Sequence, residues 1–178
     1  MNPLVRQVYD GLPAPLQNAV VSGFGWWLDR KRYGGRFREY QSFLEESQWW
    51  SPEQLGVWQD ERLRDIVRHA FEQVPFYQRR FADYGLRPED IQSRDDLHKL
   101  PLLTRKDIIE HFDDLIARNV SRRSLQLGHT SGTTGSPLEV LYDADTTQLT
   151  YAMLDRQYRW AGVNFGHGGD RVAVLRVT

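Results

Sequence analysis

The clearest periodic pattern in this chain is a helical stripe of apolar residues in its first half. The apolar positions recur every three or four residues and are Leu63, Ile66, Val67, Ala70, Phe71 and Val74. This spacing predicts a helix with one buried face. Ser51 can cap its start, Pro52 suits its first position, and Gln54 completes a capping box. Because proline interrupts a helix, Pro75 predicts its end.

Further helix signals follow that stripe. The segment from Phe76 to Tyr84 is predicted to be a short helix that ends at Gly85. Ser93 and Thr104 are each followed three residues later by an aspartate, which predicts two more helix starts, separated by Pro101.

A last helix is predicted between residues 145 and 162. Asp145 can cap its start and Gly162 predicts its end. Its expected buried face consists of Leu149, Ala152, Met153 and Trp160.

Alternating and continuous apolar runs predict strands in the second half of the chain. Leu125–Leu127 alternates as a half-buried strand does, and Leu138–Tyr142 is strand-like in composition. Val172–Leu175 is apolar throughout and predicts a strand buried on both faces. The order of elements predicts an α/β fold, with a helical N-terminal region followed by the first strands and a helix. Because Val172–Leu175 has too few partner strands in this sequence, we expect the sheet to be incomplete.

Residues 1–35 are predicted to be an irregular opening that contains aromatic residues, and the glycines at positions 23 and 25 weaken any amphipathic helix there. Trp26 and Trp27, followed by basic residues, could form an interfacial membrane anchor or pack on the domain, and we favour packing. Tyr33–Gly35 predicts a boundary. We divide the chain into an N-terminal helical or irregular extension over residues 1–50 and a second, truncated domain over residues 51–178.

The composition limits the function classes. The chain has 178 residues and a net charge of −1, from 23 basic and 24 acidic residues, so no basic field favours nucleic acid. The absence of cysteine excludes disulfides, thiolate chemistry and cysteine-ligated zinc, and is compatible with a cytoplasmic location. Met1–Leu12 lacks the pattern of a signal peptide, and Ala14–Leu28 is too short and polar to span a bilayer, so a membrane is an unexpected partner.

The strongest chemical signal is the segment His129–Pro137, which combines hydroxyl side chains with two glycines. Glycine permits a tight turn that exposes backbone N–H groups, and successive N–H groups form a concave anion site. Hydroxyl groups add adjustable donors. A polyphosphate, and therefore a nucleotide, is the predicted ligand, although the same residues also occur in ordinary turns.

Other phosphate-binding and metal-binding patterns are weaker or absent. The chain has neither a Walker-type lysine loop nor a G-x-G-x-x-G run after a strand. His69 beside the helical stripe is interpreted as a packed, hydrogen-bonded histidine. The segment His111–Asp114 is interpreted as a solvated helix end, because no second ligand set stands at metal-site spacing.

The core Ser131-Gly132-Thr133-Thr134-Gly135 resembles the phosphate-binding signature of adenylate-forming enzymes. The usual signature continues with Pro-Lys. Here Pro137 is followed by Leu138, which resembles the phenylacetate–CoA ligase-like branch and its relatives associated with capsular polysaccharide synthesis. Segments that resemble this branch upstream are Arg32-Tyr33-Gly34, Ile66 to Tyr77 and Asp96 to Asp107.

The resemblance implies a two-step reaction, in which a carboxylate and ATP give an acyl-adenylate and a thiol then accepts the acyl group. It implies ATP and Mg²⁺, with coenzyme A as a possible acceptor. The residues that it assigns to the phosphates are Thr130, Ser131, Gly132, Thr133, Thr134 and Gly135. Thr133 and Thr134 would contact the β- and γ-phosphates.

The same resemblance places the acidic Mg²⁺ residue, the ribose-binding aspartate and the catalytic lysine after Thr178, so no catalytic residue is assigned to this chain. We therefore expect the N-terminal segment of a carboxylate-activating ligase. Two alternatives are a non-catalytic nucleotide-binding remnant or partner subunit, which a second polypeptide could complete, and a helical interaction module whose loop is structural.

Overall fold

The computed structural model describes residues 3–130 and 137–164, and these residues are mostly helical with one small sheet. The helices are α1 Pro3–Asp10, α2 Ala14–Tyr33, α3 Phe37–Ser47, α4 Pro52–Gln73, α5 Pro75–Asp83, α6 Arg105–Glu110 and α7 Ala144–Trp160. The strands are β1 Gln126–His129 and β2 Glu139–Tyr142, with short 3₁₀ turns between α5 and β1. The predicted helical region and the two strands are confirmed. The predicted strand Val172–Leu175, on which a larger sheet depends, lies outside the described residues.

The described chain divides into two compact units. The first unit contains the residues up to Glu45 together with those from Ala144 onward, and the second contains Glu46–Asp143.

The first unit has its core where α3 meets α7. Phe37, Leu44 and Ala152 are buried, and aromatic side chains from α2, α3 and α7 pack around them. The irregular opening predicted for residues 1–35 is wrong, since α1 and α2 fill most of it. Trp26 and Trp27 are both exposed, so their predicted packing on the domain is also wrong.

Two glycines form the turn between α2 and α3. A Cβ on Gly34 would overlap the Arg30 carbonyl oxygen, which no side chain tolerates. Gly35 has a φ of +49°, and a Cβ there would lie 2.7 Å from Oε1 of Gln148. Glycine is therefore required at both positions. Gly34 belongs to the segment Arg32-Tyr33-Gly34, which carries part of the family resemblance, so this glycine has a structural reason in this chain.

Polar side chains occupy the buried face of α7. Gln148, Ala152 and Asp155 are buried, whereas Met153 and Trp160 are exposed, so the predicted face is wrong for the last two. The helix begins at Ala144, one residue before the predicted cap Asp145.

The Asp145 carboxylate has one partner on α3 and one immediately before it. Its Oδ2 accepts hydrogen bonds from Nη1 of Arg36 and from the hydroxyl of Tyr40, each at 2.7 Å. Burial and, to a smaller extent, the hydrogen bond to Asp145 raise the pKa of Tyr40 to about 12. Asp145 therefore lies inside α7 and links it to α3, so the predicted cap is wrong.

The second unit is built on α4 and α5. The predicted capping box of α4 is confirmed, with the Gln54 N–H donating to Oγ of Ser51 and the Ser51 N–H donating to Oε1 of Gln54. The core contains Val67, Phe81 and Ile91. His69 is exposed, so its predicted packing is wrong. The predicted ends of both helices are confirmed, and Gly85 has a left-handed φ of +62°.

Both predicted helix starts are present further along this unit, with Ser93 before a 3₁₀ helix and Thr104 before α6. Asp107 accepts from the Thr104 backbone N–H at 2.8 Å, at the start of α6. Asp96 accepts from the backbone N–H groups of Gln92 and Ser93 and from Nζ of Lys99. These bonds hold the pKa of Asp96 well below its usual range, and the bond from Lys99 has the largest effect. The segment leading to β1 is therefore fixed by local polar contacts.

Candidate functional site

A β-hairpin carries the predicted phosphate loop. Strands β1 and β2 are antiparallel, and the paired residues run from Gln126 opposite Tyr142 to His129 opposite Glu139. The connection between the strands is therefore the segment that the sequence assigns to phosphate. The hairpin confirms the predicted pair of strands around this segment, and the antiparallel register brings the two ends of the loop together.

Two hydrogen bonds fasten the ends of the loop just beyond the paired strands. The Thr130 N–H donates to the Leu138 carbonyl at 2.9 Å, and the Leu138 N–H donates to Oγ1 of Thr130 at 3.0 Å. A hydroxyl that accepts one hydrogen bond keeps its own hydrogen for another acceptor. Thr130 thus closes the loop and still offers a donor at its exposed mouth.

Thr130 is the one predicted phosphate-binding residue that lies among the described residues. Ser131, Gly132, Thr133, Thr134 and Gly135 lie outside the described residues. Their assignment to the phosphates remains a prediction.

Close packing across the hairpin explains Gly128. A Cβ at this position would lie 2.9 Å from the Tyr142 ring and 3.6 Å from Cγ2 of Val140. The last pair of the sheet joins His129 and Glu139, whose Nε2 and Oε1 atoms are 3.7 Å apart and exposed. The described mouth of the loop thus contains one carboxylate, one imidazole and the Thr130 hydroxyl.

An apolar cavity of about 360 Å³ lies behind the hairpin. Its walls come from β2 and from the segment between residues 103 and 125, and include Leu103, Ile108, Phe112, Leu115, Val120, Leu125, Val140 and Leu141. The sequence alone does not predict this cavity. The apolar residues between 103 and 125 are its only sequence signal, and their irregular spacing does not assign them to one face.

The segment His111–Asp114 has partners of its own. The His111 ring lies 5.4 Å from the Phe76 ring, Arg79 pairs with Asp114, and Nη1 of Arg122 lies 2.6 Å from Oδ1 of Asp113. Over residues 3–130 and 137–164, the side chains form no group of three or more that could hold a metal ion. Ion pairs with arginine therefore account for both aspartates.

Replacing Thr130 with valine should loosen the closure of the loop. Valine has nearly the same shape but cannot accept the Leu138 N–H, and a lost hydrogen bond of this kind costs about 1 kcal/mol. We therefore expect the Leu138 amide to exchange its hydrogen about fivefold faster, as measured by NMR. Thr130→Ser keeps the hydroxyl and serves as the control. Equal exchange rates in the valine variant and the wild type would contradict this role of Thr130.

Comparison with known proteins places the similarity in one group of enzymes. No family model matches the chain. The phenylacetate-coenzyme A ligase of Pseudomonas putida is 33% identical over 124 residues, which cover 70% of this chain and 28% of that enzyme. The enzyme of the same name from Escherichia coli K12 is 30% identical over 124 residues, again 28% of its length. That of Thermus thermophilus is 32% identical over 116 residues, covering 64% of this chain and 26% of the enzyme.

These comparisons confirm the resemblance to phenylacetate–CoA ligases that the sequence predicted. The similar segment spans little more than a quarter of the length of these relatives.

Proposed function

We propose that this chain supplies the phosphate-binding part of an ATP-dependent, carboxylate-activating ligase of the phenylacetate–CoA ligase type. The observation that carries the proposal is the Thr130–Leu138 closure, which holds a loop of hydroxyl and glycine residues at the end of a hairpin. The similarity to phenylacetate-coenzyme A ligases supports it. The narrower link to capsular polysaccharide synthesis rests on Leu138 in place of lysine.

In the proposed reaction, a carboxylate oxygen attacks the α-phosphorus of ATP, and the bond from that phosphorus to the pyrophosphate oxygen breaks. An acyl-adenylate and pyrophosphate result. A thiol, for which coenzyme A is our candidate, then attacks the acyl carbon, and AMP leaves. The chemical demand in the first step is for fixed donors around the departing pyrophosphate.

The loop residues would meet that demand in this chain. Backbone N–H groups from Ser131 to Gly135 and the hydroxyls of Thr133 and Thr134 would donate to the β- and γ-phosphates. Thr130 would donate its hydroxyl hydrogen at the edge of the site, because its oxygen already accepts from Leu138. Leu138 brings no cation, so Mg²⁺ would neutralise more of the charge. The described residues contain no cluster that could hold this ion. We therefore assign it to the phosphates and to groups outside the described residues.

The proposal also includes the limits of the domain and its location. We assign residues 51–178 to the beginning of the adenylate-forming domain and residues 1–50 to an N-terminal extension. Because ATP and coenzyme A are abundant there, we place the enzyme in the cytoplasm.

Carboxylate-dependent exchange between ATP and labelled pyrophosphate tests this function in the protein that carries the chain. We expect exchange with an aromatic or other apolar carboxylic acid, and its loss in the double variant T133A/T134A. If ATP binds but a well-folded protein shows no exchange, the ligase assignment is wrong and the non-catalytic nucleotide-binding remnant or subunit stands. If ATP does not bind, the loop is structural and the chain is better described as a helical interaction module.

A further inference from the structure

Helix α2 presents an apolar stripe to solvent. None of its residues is buried within the described chain. Leu16, Val20, Phe24 and Trp27 are between 49% and 58% exposed, although large apolar side chains are normally covered. The exposure of so many on one helix indicates a binding surface.

The four residues lie on the same side of the helix. At 3.6 residues per turn they fall within an arc of about 80° and cover about 16 Å along the axis. Val21, itself 55% exposed, flanks them. The opposite side carries Asn18, Ser22 and Asp29. Trp26 lies between the two sides and Lys31 lies at the C-terminal end of the apolar arc, so the helix has a short apolar stripe and not a complete apolar face.

Basic side chains cover the tryptophans at the C-terminal end of α2. The Arg30 guanidinium lies 5.0 Å from the Trp26 ring centre, and Nζ of Lys31 lies 4.9 Å from that of Trp27. Arg32 is the third basic residue of the helix, and Asp29 is its one acidic residue. The helix therefore has a local charge of +2. Long basic side chains can keep their charge at the headgroups while the rings beside them enter the interface.

We propose that α2 binds the surface of an anionic lipid membrane, with Phe24 and Trp27 inserted and Arg30 and Lys31 at the headgroups. Among the described helices, none has the length and apolar content to cross a bilayer, so the helix would lie on the surface. The charge favours this occupant over an apolar protein face, because lysine is depleted from the centres of protein interfaces. None of these α2 residues belongs to the phosphate loop, and the inference stands without the proposed function.

Vesicle flotation of the 178-residue chain tests the proposal. One vesicle sample contains phosphatidylcholine alone and the other phosphatidylcholine with phosphatidylglycerol. We expect the chain to float with the anionic vesicles, less so at high salt, and brominated lipid to quench its tryptophan emission. Because burying an aromatic side chain contributes roughly 1.5–3 kcal/mol, the variant F24S/W27S should bind at least about tenfold more weakly.

Trp49→Ser is the matched control, since Trp49 is 82% exposed but lies outside α2. It should float like the wild type. Circular dichroism checks that each variant is folded, which we expect because the replaced side chains are exposed. The proposal is overturned if the wild type does not float, or if F24S/W27S floats equally well. It is also overturned if the stripe instead mediates a concentration-dependent dimer, lost in F24S/W27S, that does not bind vesicles.

Discussion

Replacing Phe81 with alanine is expected to lower the free energy of unfolding of the second unit by about 3–5 kcal/mol. Phe81 is 3% exposed and lies in the core with Val67 and Ile91. Its ring meets the Phe71 ring edge-on at 5.6 Å between centres. Alanine removes the buried ring and leaves a cavity in the layer that joins α4 to α5. The measurement is urea unfolding followed by far-ultraviolet circular dichroism.

Val57→Ala is the control for this prediction. Val57 lies on α4 like Val67, but it is 61% exposed, so we expect a change within about 0.5 kcal/mol. If Phe81→Ala and Val57→Ala had the same small effect, Phe81 would not lie in a packed core.

Replacing Asp155 with alanine is expected to cost the first unit about 2–3 kcal/mol. Asp155 is 1% exposed, and its Oδ2 accepts from Nε2 of Gln41 at 2.6 Å and from Nε of Arg159 at 2.7 Å. Alanine leaves both donors without this acceptor. Arg159 is partly exposed and also binds Glu45 at 2.9 Å, which keeps the expected cost below that of a fully buried pair.

Glu45→Ala separates the buried contact from the surface contact of the same arginine. Glu45 is largely exposed, and exposed ion pairs contribute about 0–1 kcal/mol. We therefore expect thermal and urea unfolding to shift much less in Glu45→Ala than in Asp155→Ala. Equal shifts would show that burial of Asp155 does not determine the stability of this unit.

The parts of the fold that could be predicted depend on neighbours in sequence. The caps at Ser51 and Thr104 use a side chain and a backbone group three residues apart, so the sequence contains the whole interaction. The strands of the hairpin were also predictable from local sequence, because residues alternate in β1 and strand-forming residues are concentrated in β2. Gly23 and Gly25 destabilise α2 less than the prediction of an irregular segment required. Their cost of about 1 kcal/mol each did not prevent a 20-residue helix.

The parts that could not be predicted depend on distant partners. The sequence predicts Asp145 as a helix cap, and periodicity alone assigns the polar Asp155 to the solvent. Their partners Tyr40 and Gln41 lie more than 100 residues earlier in the chain. The cavity behind β2 has the same origin, since residues far apart in sequence form its walls.

The candidate site was predicted in the same partial way. The sequence gives the loop chemistry and its flanking strands, and the structure adds the closure by Thr130. The closure could not be read from composition, because it depends on how the two strands align.

Titration of the chain with MgATP, followed by calorimetry, tests the central claim most directly. The double variant T146A/T147A is the matched control, because it removes two adjacent threonine hydroxyls from α7 and leaves the loop unchanged. We expect the wild type and this control to bind MgATP, and T133A/T134A to bind at least about tenfold more weakly, since each lost donor to a charged group costs roughly 1.5–3 kcal/mol. Equal affinity of T133A/T134A and the wild type, or no binding by the folded wild type, would contradict a phosphate-binding loop.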